Sequence, residues 1–543
     1  MELYQKRKMS FQNLKNNIWF PISAFAYYCI NMRNPHNVIG IIAATILMVI
    51  IAAYVTTIAE RYKSSASMIK IISVLSAIGA CLGSAMAFYH RILTHGKVPP
   101  TIMGYSTEKL SVIYLVVGTT CSIAFVSVIL CEFYKQMLVV VADIFEGISR
   151  DEKRILWIVF VILAVFSSVF ILNSNAFSDA SGNYDVIYTS DSNSIVGENV
   201  YLSILHGEND IRQPLFAVFA IPFLGLPYLL SVIFFFAPKS MAFFMNLPQI
   251  ALLIVGYYML AKLLKLKKRE RVFCLIGILS TYTVLLFSVM MEQYIIGFFY
   301  LILFIYEKVR EKESDFTYIA ASGTILTSAA TIVMYFERKK GWMDFGKKFL
   351  RLFLYGVSIV ILAGRTDLIL TSFQRLQALL AFSGDKVAFR ERMMQYVSFV
   401  KSCFMAPASE IIDFGNGFVC WRLRDITQWD IAGIVFIALV IVSFVINRKD
   451  KFTQVSFAWC LFSMIILGIA GWGTNENGLI LYSLYFGWAY LALIVKLGMT
   501  IVKKLKLEKI GVIVWLGMVV YLLYENLSKM ILMYQFAVKY YPV

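Results

Sequence analysis

Acidic side chains are concentrated in one polar stretch, residues 173–214, which separates two long apolar runs. The acids in it are Asp179, Asp185, Asp191, Glu198, Glu208 and Asp210. A carboxylate held beside a bilayer can take a proton from the hydroxyl group of a bound acceptor. This stretch is therefore the first candidate for a chemical site, and a loop whose acids are simply solvated is the alternative.

The middle of this stretch has the pattern of a surface helix. Apolar residues between positions 195 and 205 recur at helical spacing and fall roughly on one face. A helix of this kind lies on a bilayer surface, where it would hold Asp191 at the membrane boundary and present Glu198. Arg212 follows where the apolar sequence resumes. Its guanidinium suits phosphate oxygens, and an interface anchor with its stem in the lipid is the alternative role.

Glu292 lies in the middle of a long apolar run, in the sequence SVMMEQYIIG. An acid at the centre of a membrane span costs a few kcal/mol. Two short helices that meet at residues 290–293 would instead bring Glu292 to the same surface as Asp191. A solvated turn residue is the alternative interpretation.

Two other polar segments are expected on the same side of the membrane. Residues 364–430 contain several arginines and acids, which could bind an anionic glycolipid or form a loop closed by its own salt bridges. Residues 471–478 form a tight turn that contains Glu476, a candidate substrate contact. The aromatic residues that follow this turn are typical of a membrane-interface belt.

The composition identifies the class of protein that must position these residues. Of 543 residues, 59% are hydrophobic and 15% are charged, and the mean hydropathy is +0.73. Soluble domains carry roughly 25% charged residues. Apolar runs of about twenty residues recur, and each is long enough to cross a ~30 Å hydrocarbon core. Because these runs are continuous rather than alternating, they predict an all-α polytopic membrane protein with about 12 to 14 spans.

The net charge of +17 comes from basic residues that gather in short loops. This distribution is typical of cytoplasmic loops and indicates a bilayer, rather than nucleic acid, as the partner. The loops expected inside are residues 262–271, 337–351, 447–451 and 503–509. Those expected outside are residues 173–214, 364–430 and 471–478.

Three regions follow from this topology: an N-terminal membrane region of about three spans (1–150), a middle region (151–340) and a C-terminal region (341–543). Residues 214–264 are apolar enough for two crossings, although their two ends are expected on opposite sides. The prolines in this part predict broken helices; they are Pro222, Pro227, Pro238 and Pro248.

Cysteine and histidine usage points to no metal motif. The eight cysteines and four histidines are scattered, and no CxxC pair occurs. Cys403 and Cys420 both lie in the long loop expected outside. A disulfide between them is chemically permitted there.

Residues 155–337 resemble the GT-C glycosyltransferases, polytopic enzymes that use polyprenyl-phosphate-linked sugars, as in the protein mannosyltransferase and aminoarabinose transferase groups. The resemblance rests on Asp191, on the helix sequence YLSILHG and on RQPLF, which begins at Arg212. A basic turn, KLLKLKKRER, followed by two tightly linked helices resembles the middle of these enzymes. This chain has Ser192 where the family pattern has a Glu after the Asp, and one proline where the pattern has two.

The resemblance implies that Asp191 acts as the base or positions the acceptor, and that Arg212 contacts the donor phosphate. Glu292 is the second predicted catalytic acid, and Glu198 and Glu476 are the other predicted substrate contacts. No cofactor is certain from these residues. A carboxylate together with the donor phosphate could recruit Mg²⁺.

The expected function is transfer of a sugar from a polyprenyl-phosphate donor to an envelope glycan, lipid or protein, on the outer face of the plasma membrane. A transporter or flippase for envelope lipid or polysaccharide precursors is the main alternative. It would show paired repeats and charges in mid-span, whereas the charges here collect in loops. A polymerase or ligase with the same class of lipid-linked substrate also stays open, and the arginine-containing loop 364–430 would suit it.

Overall fold

The structure, a computed structural model, describes residues 101–102, 105–106, 137, 139–177, 186–192, 195, 210–237, 239–312, 314–362, 372–380, 383–415, 417–475 and 477–543. The protein is mostly helical (75%) with little sheet, so the prediction of an α-helical membrane protein is confirmed at this coarse level. The predicted spans before residue 137 lie outside the described residues, as do Glu198 and Glu476.

The helices are α1 (Arg150–Asn173), α2 (Phe216–Ile233), α3 (Ser240–Leu263), α4 (Lys268–Leu279), α5 (Tyr282–Val289), α6 (Tyr294–Val309), α7 (Asp315–Thr324), α8 (Gly341–Leu362), α9 (Ser372–Leu380), α10 (Phe389–Ser402), α11 (Ile431–Asn447), α12 (Lys451–Ser463, continued by the π-helix Met464–Ile469), α13 (Ser483–Leu505) and α14 (Glu508–Tyr540). The 3₁₀ turns are Asp210–Arg212, Leu326–Tyr335, Gly384–Lys386 and Leu479–Tyr482. The strands are β1 (Thr101–Ile102) with β2 (Tyr105–Ser106), and β3 (Ser409–Asp413) with β4 (Val419–Leu423), both pairs antiparallel.

Within the described residues, five helical segments are long and apolar enough to cross a membrane. They are α1, α3, α12 with its π-helical end, Leu479–Leu505 and α14. The pair α4 and α5, bent by 63°, would be a sixth. The last continuous apolar run of the sequence ends near residue 523, but α14 continues to Tyr540. Asn526 interrupts the apolar pattern without ending the helix, because its side chain is buried and hydrogen-bonded.

The predicted breaks at proline do not occur in α2 and α3. Pro222 and Pro227 lie inside α2, and Pro248 lies inside α3. Helices in lipid tolerate proline where neighbouring groups satisfy the freed carbonyls. The two helices are separated between Ile233 and Ser240, and Pro238, the fourth of these prolines, lies outside the described residues.

The chain forms two compact units, each assembled from separate segments. The smaller unit comprises residues 1–146, 201–229 and 322–376. The larger unit comprises residues 147–200, 230–321 and 377–543. In the smaller unit, the Leu215 amide donates to the Gly323 carbonyl over 2.8 Å, which ties the start of α2 to the end of α7.

Asn526 of α14 holds the bend between α4 and α5 in the larger unit. Its Nδ2 donates to the carbonyls of Ser280 and Phe404, each over 2.9 Å. Its Oδ1 accepts from the Ala406 amide, also over 2.9 Å. A backbone group freed by a kink finds no water in lipid, so a side chain has to satisfy it. A single buried amide therefore connects α14, the kink and the segment after α10.

A second break, residues 290–293, separates α5 from α6, so two short helices meet there as the sequence predicts. Glu292 lies in this break, and its side chain is 0% exposed. The interpretation of Glu292 as a solvated turn residue is therefore wrong.

Ion pairs connect three of the loops that were predicted to be cytoplasmic. Asp450, after α11, lies 3.5 Å from Lys265 and 3.6 Å from Lys496. Glu270 lies 3.3 Å from Lys503. The loops around residues 265, 450 and 503 thus meet at one end of the larger unit. Residues 337–351, predicted on the same side, belong to the smaller unit.

The segment 364–430 contains regular structure that the all-α prediction missed. Besides α9 and α10 it contains the hairpin of β3 and β4, in which Ile411 pairs with Trp421. The hairpin turn has positive φ at Gly415 and Gly417, a conformation that glycine adopts readily. Glu410 lies 3.6 Å from Arg424, so part of the predicted salt-bridged loop does exist.

Residues 541–542, after α14, contact the end of α1 and the strand β4. Ser174 forms an antiparallel bridge with Pro542, and the Asn175 amide donates to the Tyr541 carbonyl over 2.7 Å. The Tyr541 hydroxyl donates to the Val419 carbonyl over 2.7 Å and accepts from its amide at 3.2 Å. This C-terminal clasp, residues 541–542, joins α1, α14 and β4.

The disulfide that the sequence permits is not formed. Cys403 and Cys420 are both buried without a disulfide bond. Cys403 caps α10, and its Sγ points to the Phe399 carbonyl at 3.4 Å. Burial raises the pKa of the Cys403 thiol well above its usual range, so the group stays protonated.

Candidate active site

Asp191 follows directly after a strained turn. The Ser190 amide donates to the Ile187 carbonyl over 3.0 Å, and φ is +52° at Tyr188 and +59° at Thr189. Positive φ at both central positions belongs to a type I′ turn, where glycine and asparagine are usual. A residue with a Cβ loses roughly 1–2 kcal/mol in this conformation. The surroundings must therefore hold the turn in place.

The hairpin supplies one part of this support. The Tyr188 amide donates to the Trp421 carbonyl, and the Trp421 amide donates to the Val186 carbonyl, each over 2.8 Å. Ile187 thereby forms a parallel bridge with Trp421 of β4. The segment 186–188 adds to the edge of the hairpin, and the backbone just before Asp191 takes its position from β4.

The Tyr188 side chain supplies a second part. Its hydroxyl lies 2.8 Å from the hydroxyl of Tyr282 in α5 and 2.8 Å from the hydroxyl of Ser409 in β3. Burial raises the pKa of Tyr188 above its usual value, although the hydrogen bonds with Ser409 and Tyr282 oppose this. Tyr188 is therefore neutral at physiological pH and joins the turn, the hairpin and α5.

Glu292 supplies the third part. Its Oε1 accepts from the Ser190 hydroxyl at 2.9 Å and from the Asp191 amide at 2.8 Å. Ser190 in turn contacts Ser192, whose amide donates to the Ser190 Oγ over 3.1 Å. The buried acid from the break between α5 and α6 thus binds the backbone of the acidic loop, about a hundred residues away in sequence.

The turn at residues 471–478 packs against the same loop. A Cβ on Gly478 would lie 2.8 Å from the Oγ1 of Thr189, closer than real Cβ contacts. The neighbouring Asn477 donates its Nδ2 to the Leu423 carbonyl over 3.2 Å, so this turn also contacts the end of β4. Any residue larger than glycine at 478 would press on the strained turn.

These contacts define what the site can do. The backbone of Asp191 is fixed by its neighbours, by Glu292 and through Tyr188, while its side chain is only half-buried. Its carbonyl accepts from the Ile195 amide at 2.9 Å, and the rest of the predicted surface helix, residues 196–205, lies outside the described residues. A carboxylate on a rigid backbone that solvent can reach has the geometry of a general base.

The predicted site residues have different outcomes. Asp191 and Glu292 lie together, but Glu292 contacts the loop rather than standing beside it as a second independent acid. Arg212 ends the 3₁₀ turn Asp210–Arg212 in the smaller unit and is half-buried. Glu198 and Glu476 lie outside the described residues.

Several residues of the site were not found from the sequence. Tyr188, Ser190, Ser409 and Trp421 all contact the loop or its supports. The sequence Phe414-Gly-Asn-Gly between two alternating segments is a hairpin signal that could have located β3 and β4. Nothing local in the sequence indicates that residues 186–188 pair with that hairpin.

No group of three or more His, Cys, Asp or Glu side chains able to hold a metal occurs within the part of the chain that the structure describes. The Mg²⁺ considered from the sequence would be held jointly by a carboxylate and the donor phosphate. Its presence stays a prediction.

Comparison of the chain with protein-family models, with curated proteins and with solved structures finds no match.

Proposed function

We propose that this protein is a membrane glycosyltransferase of the GT-C kind that moves one sugar from a polyprenyl-phosphate donor to an envelope glycan, lipid or protein. In this proposal the complete chain has about 12 to 14 spans, lies in the plasma membrane and works at its outer face. Asp191 is the base.

The proposal rests on one observation: two hydrogen bonds join residues 190–191 of the acidic loop to Glu292, in the break between α5 and α6. Burying an acid between apolar helices costs free energy. The buried acid here, Glu292, accepts hydrogen bonds from the Ser190 hydroxyl and the Asp191 amide. The backbone has positive φ at Tyr188 and Thr189, in the turn that precedes Asp191. Strain of this kind clusters at functional sites, because the surroundings keep it there for a geometric purpose.

The proposed reaction is a displacement at the anomeric carbon of the donor sugar. The acceptor hydroxyl oxygen attacks this carbon while its proton passes to the Asp191 carboxylate. The bond between the anomeric carbon and the phosphate oxygen breaks, and polyprenyl phosphate leaves with the bonding electron pair. The proton on Asp191 is later released to solvent, which restores the base.

The other residues have supporting roles in this proposal. Glu292 is a positioning residue, because it binds the backbone of Asp191 and the Ser190 hydroxyl. Arg212 contacts the donor phosphate through its guanidinium, a pairing that suits phosphate oxygens. Glu198 and Glu476 are the proposed contacts to sugar or acceptor hydroxyls.

The test measures release of polyprenyl phosphate by the purified full chain from a panel of polyprenyl-phosphate hexoses, with a lipid extract as acceptor. Asp191→Asn keeps the size of the side chain but removes its basicity, so turnover should fall by about 10²–10⁴-fold. The Asp191 contact with Glu292 uses the backbone amide and should survive this substitution, and a thermal unfolding curve is the control for folding.

Arg212→Ala provides the contrast. A charge-assisted contact to phosphate contributes about 1.5–3 kcal/mol, so this variant should raise the apparent KM for the donor more than it lowers kcat. A well-folded Asp191→Asn protein with wild-type turnover would disprove the assignment of the base. Uptake or flipping of an intact lipid-linked sugar by that variant would favour the transporter instead.

A further inference from the structure

The first half of α8, in the smaller unit, has two opposite faces. Its large apolar side chains are exposed and repeat at helical spacing; they are Trp342, Met343, Phe349, Leu350 and Phe353. Trp342 and Met343 are 74% and 77% exposed. At 100° per residue these positions form one stripe along the helix. Residues 354–362, which complete the helix, contain no charge.

The opposite face is basic. Lys347, Lys348 and Arg351 lie on it together with Asp344, and residues 338–340, just before the helix, are Arg-Lys-Lys. The two acids of this segment already have cationic partners. Glu337 lies 2.7 Å from Lys340 and 3.1 Å from Lys348, and Asp344 lies 3.7 Å from Lys348. The exposed basic side chains thus outnumber the acids.

The basic residues before α8 are held next to the helix. The ring of Phe336 lies 4.5 Å from the ring of Trp342 and 5.9 Å from that of Phe345. This aromatic cluster folds residues 337–340 against the first turn. Glu337 and Asp344 offset only part of the positive charge that the basic residues bring to this end of the helix.

We propose that residues 336–353 form an interfacial arm that binds the anionic phospholipid headgroups of a bilayer. A bilayer surface offers acyl chains to the exposed apolar stripe and negatively charged headgroups to the basic face. These two layers lie about one helix diameter apart. The uncharged second half of α8 keeps the arm at the lipid boundary. The sequence predicted a cytoplasmic loop over residues 337–351, whereas a helix begins at Gly341.

The experiment uses the full chain in nanodiscs of phosphatidylcholine, alone or with about 30% phosphatidylglycerol, at low salt. Hydrogen exchange of the peptide that covers residues 336–353 is followed by mass spectrometry. Exchange should be at least about fivefold slower in the anionic discs, and the difference should vanish at about 0.5 M NaCl.

Matched variants separate charge from apolar contact. Lys339→Gln with Lys347→Gln should abolish the effect of phosphatidylglycerol. Lys506→Gln with Lys509→Gln removes the same charge from two exposed residues around the start of α14 and should leave the effect intact. Trp342→Ser with Met343→Ser should speed exchange in both kinds of disc.

Two results would overturn the proposal. Equal exchange in the two kinds of disc at low salt would show that the arm does not recognise anionic lipid. Protection that depends on having two copies of the chain per disc, but not on phosphatidylglycerol, would assign the apolar stripe to a second copy. Neither result bears on Asp191, so this proposal and the glycosyltransferase can fail separately.

Discussion

The two ends of the larger unit are both held by an acid, but in different ways. At one end the buried Glu292 accepts from a hydroxyl and a backbone amide of the acidic loop. At the other end Asp450 lies between Lys265 and Lys496 and also caps α12 through the Thr453 amide. Lys265 is 70% exposed there.

The difference shows what each end is built to do. An ion pair with an exposed side chain such as Lys265 tolerates small movements, is screened by salt and contributes about 0–1 kcal/mol. The pair with Lys496 is less exposed, because the Lys496 and Asp450 side chains are 19% and 17% exposed. Hydrogen bonds donated to a buried acceptor fix the positions of specific atoms, and losing such an acceptor costs about 1–3 kcal/mol. The Asp450 end can hold loops together loosely, whereas the Glu292 end fixes Asp191 in place.

Removing the acceptor at Glu292 should give the largest effect. Glu292→Ala leaves the Ser190 hydroxyl and the Asp191 amide without their acceptor, so turnover should fall by about 10–100-fold. Glu292→Gln retains an acceptor oxygen and should recover most of that loss. Release of polyprenyl phosphate measures both, with a thermal unfolding curve as the control for folding. Equal losses in the two variants would mean that the negative charge, rather than the hydrogen bonds, is what matters.

Crowding the strained turn should have an intermediate effect. Gly478→Ala places a methyl group 2.8 Å from the Thr189 Oγ1. Overpacking of this kind typically costs about 1–3 kcal/mol, and it should lower turnover because the displaced turn carries Asp191.

Thr189→Gly provides the matched rescue. Glycine removes the clashing hydroxyl and accepts the positive φ, so the double variant should regain the activity that Gly478→Ala loses. Additive losses in the double variant would contradict a direct contact between the two residues.

The smallest effect is expected at Asp450 and should depend on pH. Burial opposes ionisation of Asp450, but Lys496, Thr453 and Lys265 outweigh it and lower the pKa below the usual 3.8. Because the folded-state pKa is depressed, the stabilisation is present above pH 3.8 and is lost as the pH falls through the folded-state value.

Asp450→Asn should therefore lower the free energy of unfolding by about 0.3–1 kcal/mol at neutral pH and by much less near pH 3. Unfolding in detergent at the two pH values measures this, and about 1 M salt should shrink the neutral-pH difference. A difference that grows on acidification would contradict the assigned sign.

The sequence predicted the parts of the fold that depend on transfer from water to lipid. The α-helical membrane class followed from continuous apolar runs. The break at residues 290–293 followed from the energetic penalty on Glu292 in an apolar helix. The apolar runs at 431–446, 452–469 and 479–495 correspond to α11, to α12 with its π-helical end, and to α13 with the turn before it.

Features that depend on contacts between distant segments could not be predicted in this way. No local preference places Thr189 at positive φ, because glycine or asparagine would be the usual choice. The burial of Glu292 depends on Ser190, which is 102 positions away. The hairpin of β3 and β4 has a local signal, but its pairing with residues 186–188 does not. The breaks predicted at Pro222, Pro227 and Pro248 do not occur, because each of these prolines lies inside a continuous helix.

The C-terminal clasp has a consequence for how the protein is made. Asn175 leaves the ribosome early, yet its Nδ2 donates to the carbonyl of Pro542, 367 positions later. The strand that positions the acidic loop is likewise hydrogen-bonded through Val419 to Tyr541. A nascent chain can therefore form these contacts only after residues 541–542 have been synthesised, so the support of residues 186–188 in the acidic loop is completed more than 350 residues after they have been made.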